Sequence, residues 1–222
     1  MVVTGTPTRT SLARRSLPAI AREALGLDPA RTTIVAMGGS QGARSINEAV
    51  AALVTRRSLA DDWQVLHISG ERDYAYMQAE ERELARGNTV RLVPYLPDPA
   101  NAFAAADIVI ARAGASTLAE LAVTATPAVL VPYPFAAEGH QAANAALFAE
   151  RGAAVVLTDA ELNGDRLWWT LRACLEPQRL HAMRAAVARL ARPDAAGAIA
   201  TRIAALAGRE GRRSRGAERK GP

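Results

Sequence analysis

The sequence predicts an α/β protein built on a parallel sheet of about six strands flanked by helices. Six short apolar runs occur along the chain about 20 to 40 residues apart, with longer helical patterns between them. That spacing is typical of strand–helix–strand units, because hairpins need much shorter connections. Several runs are continuously apolar, which favours strands covered by helices on both faces. We therefore predict a Rossmann-like sheet with right-handed crossovers.

The elements follow one another regularly. The predicted strands are residues 32–37, 64–69, 89–93, 107–111, 128–132 and 153–157. After the last strand the pattern is helical, with an apolar stripe at Leu180, Met183, Val187 and Leu190 and arginines opposite. Ile203 and Leu206 continue that spacing, so the sequence predicts a helical C-terminal end.

Composition limits the classes of site. The chain has 222 residues and half are apolar, which is enough for a substantial core. The single cysteine, Cys174, excludes an internal disulfide, and with three histidines it offers few ligands for zinc. Cys174 lies in an apolar helical stretch and is predicted to be buried and unreactive. No apolar run reaches the roughly 18 residues of a membrane span, so we expect a cytoplasmic protein.

The basic character is concentrated at the C-terminal end. Residues 208–222 contain six Lys or Arg residues and two Glu, so they carry +4 of the net charge of +5. A local charge run of this kind predicts a flexible solvated tail rather than a basic folded face. Contact of this tail with anionic lipid or with RNA stays open as an alternative. No specific nucleic-acid partner is predicted.

The first strand ends at a glycine-rich turn, GGSQGA, at residues 38–43. Glycines allow positive φ and close approach of a ligand, and the helix that follows offers an anion site at its N-terminus. The turn matches neither GxGxxG nor a Walker A loop, so by itself it fits helix–strand packing equally well. Ser45 and Glu48 have the spacing of a capping box, which predicts a structural role for Glu48.

A second small-residue turn, residues 112–116, follows the fourth strand. Thr117 and Glu120 also have capping-box spacing. Two interpretations of Glu120 therefore stay open on the pattern alone. It is either a helix cap or a carboxylate that accepts hydrogen bonds from a ribose diol.

A third turn follows the fifth strand and leads into a helix that starts near His140 and Gln141. These residues are either ordinary surface groups or donors directed at a ligand. Ligands of doubly wound sheets bind beyond the carboxyl ends of the strands, where all three turns would meet. Helix N-termini for a diphosphate, together with amide and imidazole groups, predict a nucleotide-sugar site. Without a DxD motif or carboxylate cluster, no metal or other cofactor is expected.

Three motifs, GGSQGARSIN, ARAGASTLAELA and HQAANA, resemble in order and spacing the C-terminal half of the MurG family. These are the bacterial UDP-N-acetylglucosamine transferases that form lipid II for peptidoglycan. The opening VVTGTPTR is similar to the family's interdomain segment. The resemblance implies a linker at residues 1–10 and a UDP-GlcNAc-binding domain at 11–207, the C-terminal half of a GT-B fold. It also implies metal-independent, inverting transfer of GlcNAc to lipid I.

The resemblance implies two groups of donor contacts. The residues expected at the diphosphate are Gly39, Ser40, Gln41, Gly42, Ala115, Ser116 and Thr117. The other contacts are Tyr95 and Leu96 beside uracil, Glu120 on the ribose, His140 and Gln141 on the GlcNAc hydroxyls, and Arg9 facing the cleft. The family comparison thus favours a ligand contact over a helix cap for Glu120.

The family's N-terminal acceptor domain has no counterpart in this sequence, and its general base is expected there. No catalytic residue is therefore assigned, and the chain alone is expected to be inactive. In one hypothesis it is part of a transferase that reaches lipid I through a missing N-terminal domain or a separate subunit. In another it is a stand-alone nucleotide-sugar-binding module. A dinucleotide oxidoreductase is a weaker third hypothesis, because Glu71 lies far beyond the roughly 20-residue spacing of a ribose-binding acid.

Overall fold

The computed structural model describes residues 2–13, 16–56, 62–84 and 90–217. Its sheet has six parallel strands in the order β3-β2-β1-β4-β5-β6. The strands are β1 (Thr32–Met37), β2 (Trp63–Ile68), β3 (Val90–Val93), β4 (Ile108–Ala111), β5 (Ala128–Leu130) and β6 (Ala154–Val156). This is the order of a doubly wound Rossmann sheet, in which the direction of winding reverses between β1 and β4. The predicted fold class is confirmed.

Helices connect the strands and close the chain. They are α1 (Pro18–Ala24), α2 (Arg44–Arg56), α3 (Glu71–Leu84), α4 (Ala100–Ala105), α5 (Ala115–Thr124), α6 (His140–Glu150), α7 (Gly164–Cys174), α8 (Pro177–Ala188) and α9 (Ala195–Ala217). Short 3-10 turns precede α1 and α6. In the described part of the chain, no helix is both long and apolar enough to cross a membrane.

The core consists of two apolar layers, one on each face of the sheet. Along β4, Ile108 and Ile110 pack with α2 and α7, whereas Val109 packs on the opposite face with α4, α5 and α6. Successive strand residues point to opposite faces. Because helices cover both faces, both sets must be apolar, and this explains the continuous apolar runs. Cys174 is fully buried in the first of these layers, and burial raises the pKa of its thiol, as expected for an unreactive position.

The C-terminal helices differ in how they use their apolar stripes. Met183 and Val187 of α8 are buried, as predicted. In α9 the side chains of Ile203 and Leu206 are each 62% exposed. The backbone of α9 continues to Ala217 and so includes ten residues of the segment expected to be a flexible tail. Residues 218–222 of that segment lie outside the described residues.

An arginine–aspartate pair joins elements at the amino ends of the strands. Asp107, just before β4, accepts hydrogen bonds at Oδ2 from Arg22 Nη2 and from the Thr33 backbone N–H, both at 2.8 Å. Its Oδ1 accepts from Arg184 Nη2 at 2.7 Å. Arg22 also donates to two backbone carbonyl groups. We call Arg22 and Asp107 the amino-end pair.

Candidate functional site

The carboxyl ends of the strands surround an open cleft of about 720 Å³. Its walls come from the glycine-rich loop and the start of α2, from the start of α5, and from the loops after β5 and β6. This is the edge of the sheet at which ligands of doubly wound proteins bind. Three chain segments that are distant in sequence therefore converge here, as the turn analysis predicted.

Glycine is present in the first loop for two different structural reasons. A Cβ atom on Gly38 would lie 2.3 Å from the Ala43 nitrogen, and one on Gly42 would lie 2.2 Å from the Ser69 carbonyl oxygen. Both positions thus require glycine for packing against the protein's own backbone. Gly39 has φ +87°, and among the described residues no atom lies within 4 Å of where its Cβ would be. Gly39 therefore presents bare backbone to open space.

A buried polar chain supports this loop from below. Asn47 donates to the Ser69 carbonyl oxygen at 2.9 Å and to Asp73 Oδ2 at 3.0 Å. His67 Nε2 lies 2.9 Å from Asn47 Oδ1, and the side chains of all these residues are buried. Because Gly42 packs on Ser69, the network holds the backbone against which the glycine-rich loop rests.

Both predicted capping boxes are wrong. Helix α2 begins at Arg44, so Ser45 is already inside it, and its hydroxyl donates to Asp159 Oδ1 at 2.9 Å. Glu48 is structural for another reason, since it forms an ion pair with Arg44 at 2.7 Å one turn away. Helix α5 begins at Ala115 after the N-cap residue Gly114, whose backbone is extended.

Glu120 is consequently free of a capping role. It lies one turn after Thr117, which lines the cleft. Burial raises the pKa of the half-buried Glu120 carboxyl, Arg9 lowers it and Asp98 raises it. Arg9 is held beside this group because its Nη1 donates to the Pro97 carbonyl oxygen at 2.7 Å. A poorly solvated carboxylate beside a cleft is suited to accept hydrogen bonds from a ligand.

The start of α6, next to the loop after β5, presents Gln141 to the cleft. The Tyr133 backbone N–H donates to Gln141 Oε1 at 3.0 Å, which fixes the orientation of the amide group. His140 is exposed, and its Nδ1 lies 2.6 Å from the Ala137 carbonyl oxygen. Asn144, one turn into α6, donates to the Ala113 carbonyl oxygen at 3.1 Å and so joins α6 to the start of α5.

The cleft also contains an arginine–aspartate pair that the sequence did not predict. Arg112 Nη1 and Nη2 donate to Asp159 Oδ1 and Oδ2 at 2.6 Å and 3.3 Å. Arg112 Nη2 also donates to Ser45 Oγ at 2.9 Å. We call Arg112 and Asp159 the carboxyl-end pair. An arginine directly after a buried strand was the available signal for Arg112, whereas nothing local marks Asp159 as its partner.

Comparison with known proteins fits this geometry. Residues 33–199 match the model of the glycosyltransferase family 28 C-terminal domain. The chain belongs to this family. A relative from Moorella thermoacetica, named UDP-N-acetylglucosamine–N-acetylmuramyl-(pentapeptide) pyrophosphoryl-undecaprenol N-acetylglucosamine transferase, is 43% identical over 204 residues, which are 90% of this chain and 55% of the relative. A Desulfitobacterium hafniense protein of the same name is 39% identical over 88% of this chain and 54% of the relative.

A solved structure agrees with the family assignment. The crystal structure of Acinetobacter baumannii MurG has a TM-score of 0.72 and 27% sequence identity, covering 90% of this chain and 56% of that chain. The chain spans about half the length of the curated relatives that it matches. The predicted resemblance to MurG is confirmed.

The structure divides the residues implied by the family resemblance into those that line the cleft and those that do not. Those that line the cleft are Gly39, Gln41, Gly42, Thr117 and Gln141. Arg9 and Glu120 form a neighbouring group with Asp98. Ser40 is exposed at the tip of the glycine-rich loop, and Ala115 and Ser116 are exposed at the start of α5. Tyr95 is 40% exposed and Leu96 is half-buried, in the loop after β3 that leads to Pro97 and Asp98.

Proposed function

We propose that this chain binds UDP-GlcNAc in the cleft, as the donor-binding part of an N-acetylglucosaminyltransferase of peptidoglycan synthesis. The observation that carries the proposal is the meeting of the glycine-rich loop, the start of α5 and Gln141 around one cleft. The names of the Moorella thermoacetica and Desulfitobacterium hafniense relatives supply the reaction. From the resemblance of the motifs to the MurG family, we propose that lipid I becomes lipid II by inverting, metal-independent transfer of the hexose.

The diphosphate is proposed to lie against Gly39 and the N-termini of α2 and α5. Unpaired backbone N–H groups and the positive ends of the helix dipoles attract anions there. The residues adjacent in sequence to Gly39 and at the start of α5 are Ser40, Gln41, Gly42, Ala115, Ser116 and Thr117. Arg44 and Arg72 also line the cleft, where Arg44 is ion-paired with Glu48 and Arg72 with Asp73. These groups offset the phosphate charge without requiring a metal ion.

The nucleoside and the sugar are proposed to occupy the two sides of the diphosphate. Glu120 accepts hydrogen bonds from the ribose hydroxyls, with Arg9 as the neighbouring cation. Tyr95 and Leu96 border the uracil. Gln141 and His140 hold the GlcNAc hydroxyls, and Gln141 has the better supported position because it lines the cleft.

The acceptor side of the reaction is proposed to lie on a further domain or a separate subunit that supplies the general base. The acceptor in the relatives' name carries an undecaprenol chain, which is a membrane lipid. We therefore propose peripheral contact with the cytoplasmic face of the inner membrane. The basic segment 208–222 would add electrostatic attraction to anionic lipid there.

Calorimetric titration of the purified chain with UDP-GlcNAc tests the donor site. UDP-galactose and NAD serve as control ligands, and each titration is repeated with EDTA. We expect saturable binding of UDP-GlcNAc that the chelator leaves unchanged, weaker binding of UDP-galactose and none of NAD. A folded chain that binds no UDP-GlcNAc, or that binds NAD equally well, would overturn the proposal.

A transfer assay then separates an enzyme part from a binding module. Labelled UDP-GlcNAc and a lipid I acceptor are incubated with the chain, with and without an added acceptor-binding domain of a relative. We expect transfer only in the presence of that domain. Donor binding without transfer under either condition would favour a stand-alone module.

A further inference from the structure

Arg112 joins three segments that border the cleft, two of them loops and the third the start of α2. Besides Asp159 in the loop after β6, it contacts Ser45 at the start of α2. Its Nη1 also donates to the carbonyl oxygens of Val131 and Pro132 after β5, at 3.2 Å and 3.4 Å. One rigid guanidinium thus links the phosphate side of the cleft to the loop that leads to Gln141.

The geometry of the carboxyl-end pair keeps the contacts of Arg112 in a fixed orientation. Its contact is bidentate, and the side chains of Arg112 and Asp159 are only 14% and 26% exposed. Planar bidentate pairs fix orientation better than single contacts do, and low exposure limits screening by solvent. Ser45 Oγ completes a three-membered ring of contacts, because it accepts from Arg112 and donates to Asp159.

The link to Gln141 passes through Tyr133. The Arg112 guanidinium carbon lies 5.4 Å from the centre of the Tyr133 ring, within the range of a cation–π contact. The backbone N–H of the same tyrosine donates to Gln141 Oε1. With that oxygen engaged, Gln141 presents its amide nitrogen as a donor to a ligand in the cleft.

We infer that Arg112 is a positioning residue that sets the preference of the cleft for a sugar-bearing nucleotide over the nucleotide without its sugar. Arg112 acts through Tyr133 and Gln141. The inference rests on the proposed function, since it assigns the hexose to the Gln141 side of the diphosphate. The loop backbone at the proposed diphosphate position is set by Gly39 and by the packing of Gly42 against Ser69, and on that side of the cleft Arg112 bonds the Ser45 hydroxyl inside α2.

The test compares the dissociation constants of UDP and UDP-GlcNAc by calorimetry. The variants are Arg112→Lys, Asp159→Asn and the double variant. The matched control is Arg22→Lys, which removes the corresponding guanidinium of the amino-end pair, away from the cleft. Circular dichroism establishes that each protein is folded at the titration temperature.

We expect each variant of the carboxyl-end pair to bind UDP within about threefold of the original chain and to lose about tenfold of its preference for UDP-GlcNAc. The double variant is expected to lose no more than Arg112→Lys alone, because Asp159 acts on the cleft through Arg112. The control should keep the full preference. Asp159→Asn conserves volume and still tests the inference if Arg112→Lys does not fold.

The two possible failures are distinguishable. Folded variants that retain the preference for UDP-GlcNAc would overturn the positioning role and leave the proposed function intact. An original chain that binds neither ligand would overturn the proposed function, and the positioning role with it, before any variant is compared.

Discussion

The two ends of the sheet each carry an arginine–aspartate pair, and the pairs resemble each other in burial. In the amino-end pair, Arg22 and Asp107 are 11% and 18% exposed, and in the carboxyl-end pair Arg112 and Asp159 are 14% and 26% exposed. The difference lies in what surrounds them. Asp107 is saturated by two arginines and a backbone N–H group. The carboxyl-end pair borders an open cleft with a glycine-rich loop.

This difference shows how one sheet can separate stability from binding. Parallel strands direct the N-termini of their following helices to one edge only, so anion-binding groups collect there. At the opposite edge the polar groups can bond with one another. We expect substitutions at the amino end to change the free energy of unfolding, and substitutions at the carboxyl end to change ligand affinity.

The largest expected effect is that of Asp107→Ala. It leaves Arg22 and Arg184 without their carboxylate and should lower the free energy of unfolding by about 3 to 5 kcal/mol. Asp159→Ala should cost less, about 1 to 2 kcal/mol, because Asp159 accepts from one arginine and a hydroxyl rather than from two arginines and a backbone N–H group, and because it is more exposed than Asp107. Urea denaturation of both variants measures the difference. Equal losses would contradict the contrast between the two ends.

Two glycines at the carboxyl end of the sheet should also differ in whether their substitution mainly changes stability or ligand binding. Gly42→Ala introduces a Cβ at 2.2 Å from the Ser69 oxygen at φ +76°, and we expect a loss of about 2 to 4 kcal/mol in stability. Gly39→Ala meets only the backbone cost of its positive φ, about 1 to 2 kcal/mol. It should nevertheless weaken nucleotide binding, because its new methyl group faces the cleft. Denaturation and calorimetry on the two variants test this, and a Gly39 variant with undiminished affinity would exclude the loop as a phosphate contact.

Glu120→Ala tests binding directly. The loss of a charge-assisted hydrogen-bonding group should weaken UDP binding by about 1 to 3 kcal/mol while the fold is retained. Glu150→Ala, an exposed glutamate on α6, is the matched control and should bind normally. Equal affinities of the two variants for UDP would remove Glu120 from the site.

The smallest expected effect concerns pH. Because burial raises the pKa of Glu120 in the folded chain above its ordinary value of 4.5, the folded state holds the proton more tightly than the unfolded state. The contribution of this group to stability therefore falls as pH rises through the raised pKa. Glu120→Gln should raise the melting temperature slightly at neutral pH. Melting temperatures measured from acid to neutral pH test this. A Glu120→Gln variant whose melting temperature does not rise at neutral pH would contradict the raised pKa of Glu120.

Ligand affinity should show the opposite pH dependence. UDP binding needs the ionised carboxylate, so affinity should be constant at neutral pH and fall as the pH drops through the raised pKa of Glu120. Titrations between mildly acidic and neutral pH should show this fall in the original chain. The profile of Glu120→Gln should be flatter, and parallel profiles would assign the pH dependence to another group.

The sheet and the location of the cleft could be predicted because both depend on local patterns. Continuous apolar runs identify strands that are covered on both faces, and parallel strands bring their following turns to one edge. The GGSQGA turn and residues 112–116 were therefore recognisable as parts of one site.

The first residues of the helices and the carboxyl-end pair could not be predicted, for two different physical reasons. The capping pattern occurs at Ser45 and Thr117, but α5 begins earlier because the extended backbone of Gly114 already ends the loop. Arg112 and Asp159 are 47 residues apart, and only the completed sheet brings them together. Local spacing carries no information about such a contact.

The separation of these partners in the chain has a kinetic consequence. Ser45 and Asp159, which meet at the carboxyl-end pair, are 114 residues apart, so their contact closes a loop that includes most of the domain. Contacts that close long loops form late in folding, since the entropy of closure must first be offset elsewhere. We therefore expect the cleft to be completed after the folding transition state, so that a nucleotide bound there slows unfolding without accelerating folding.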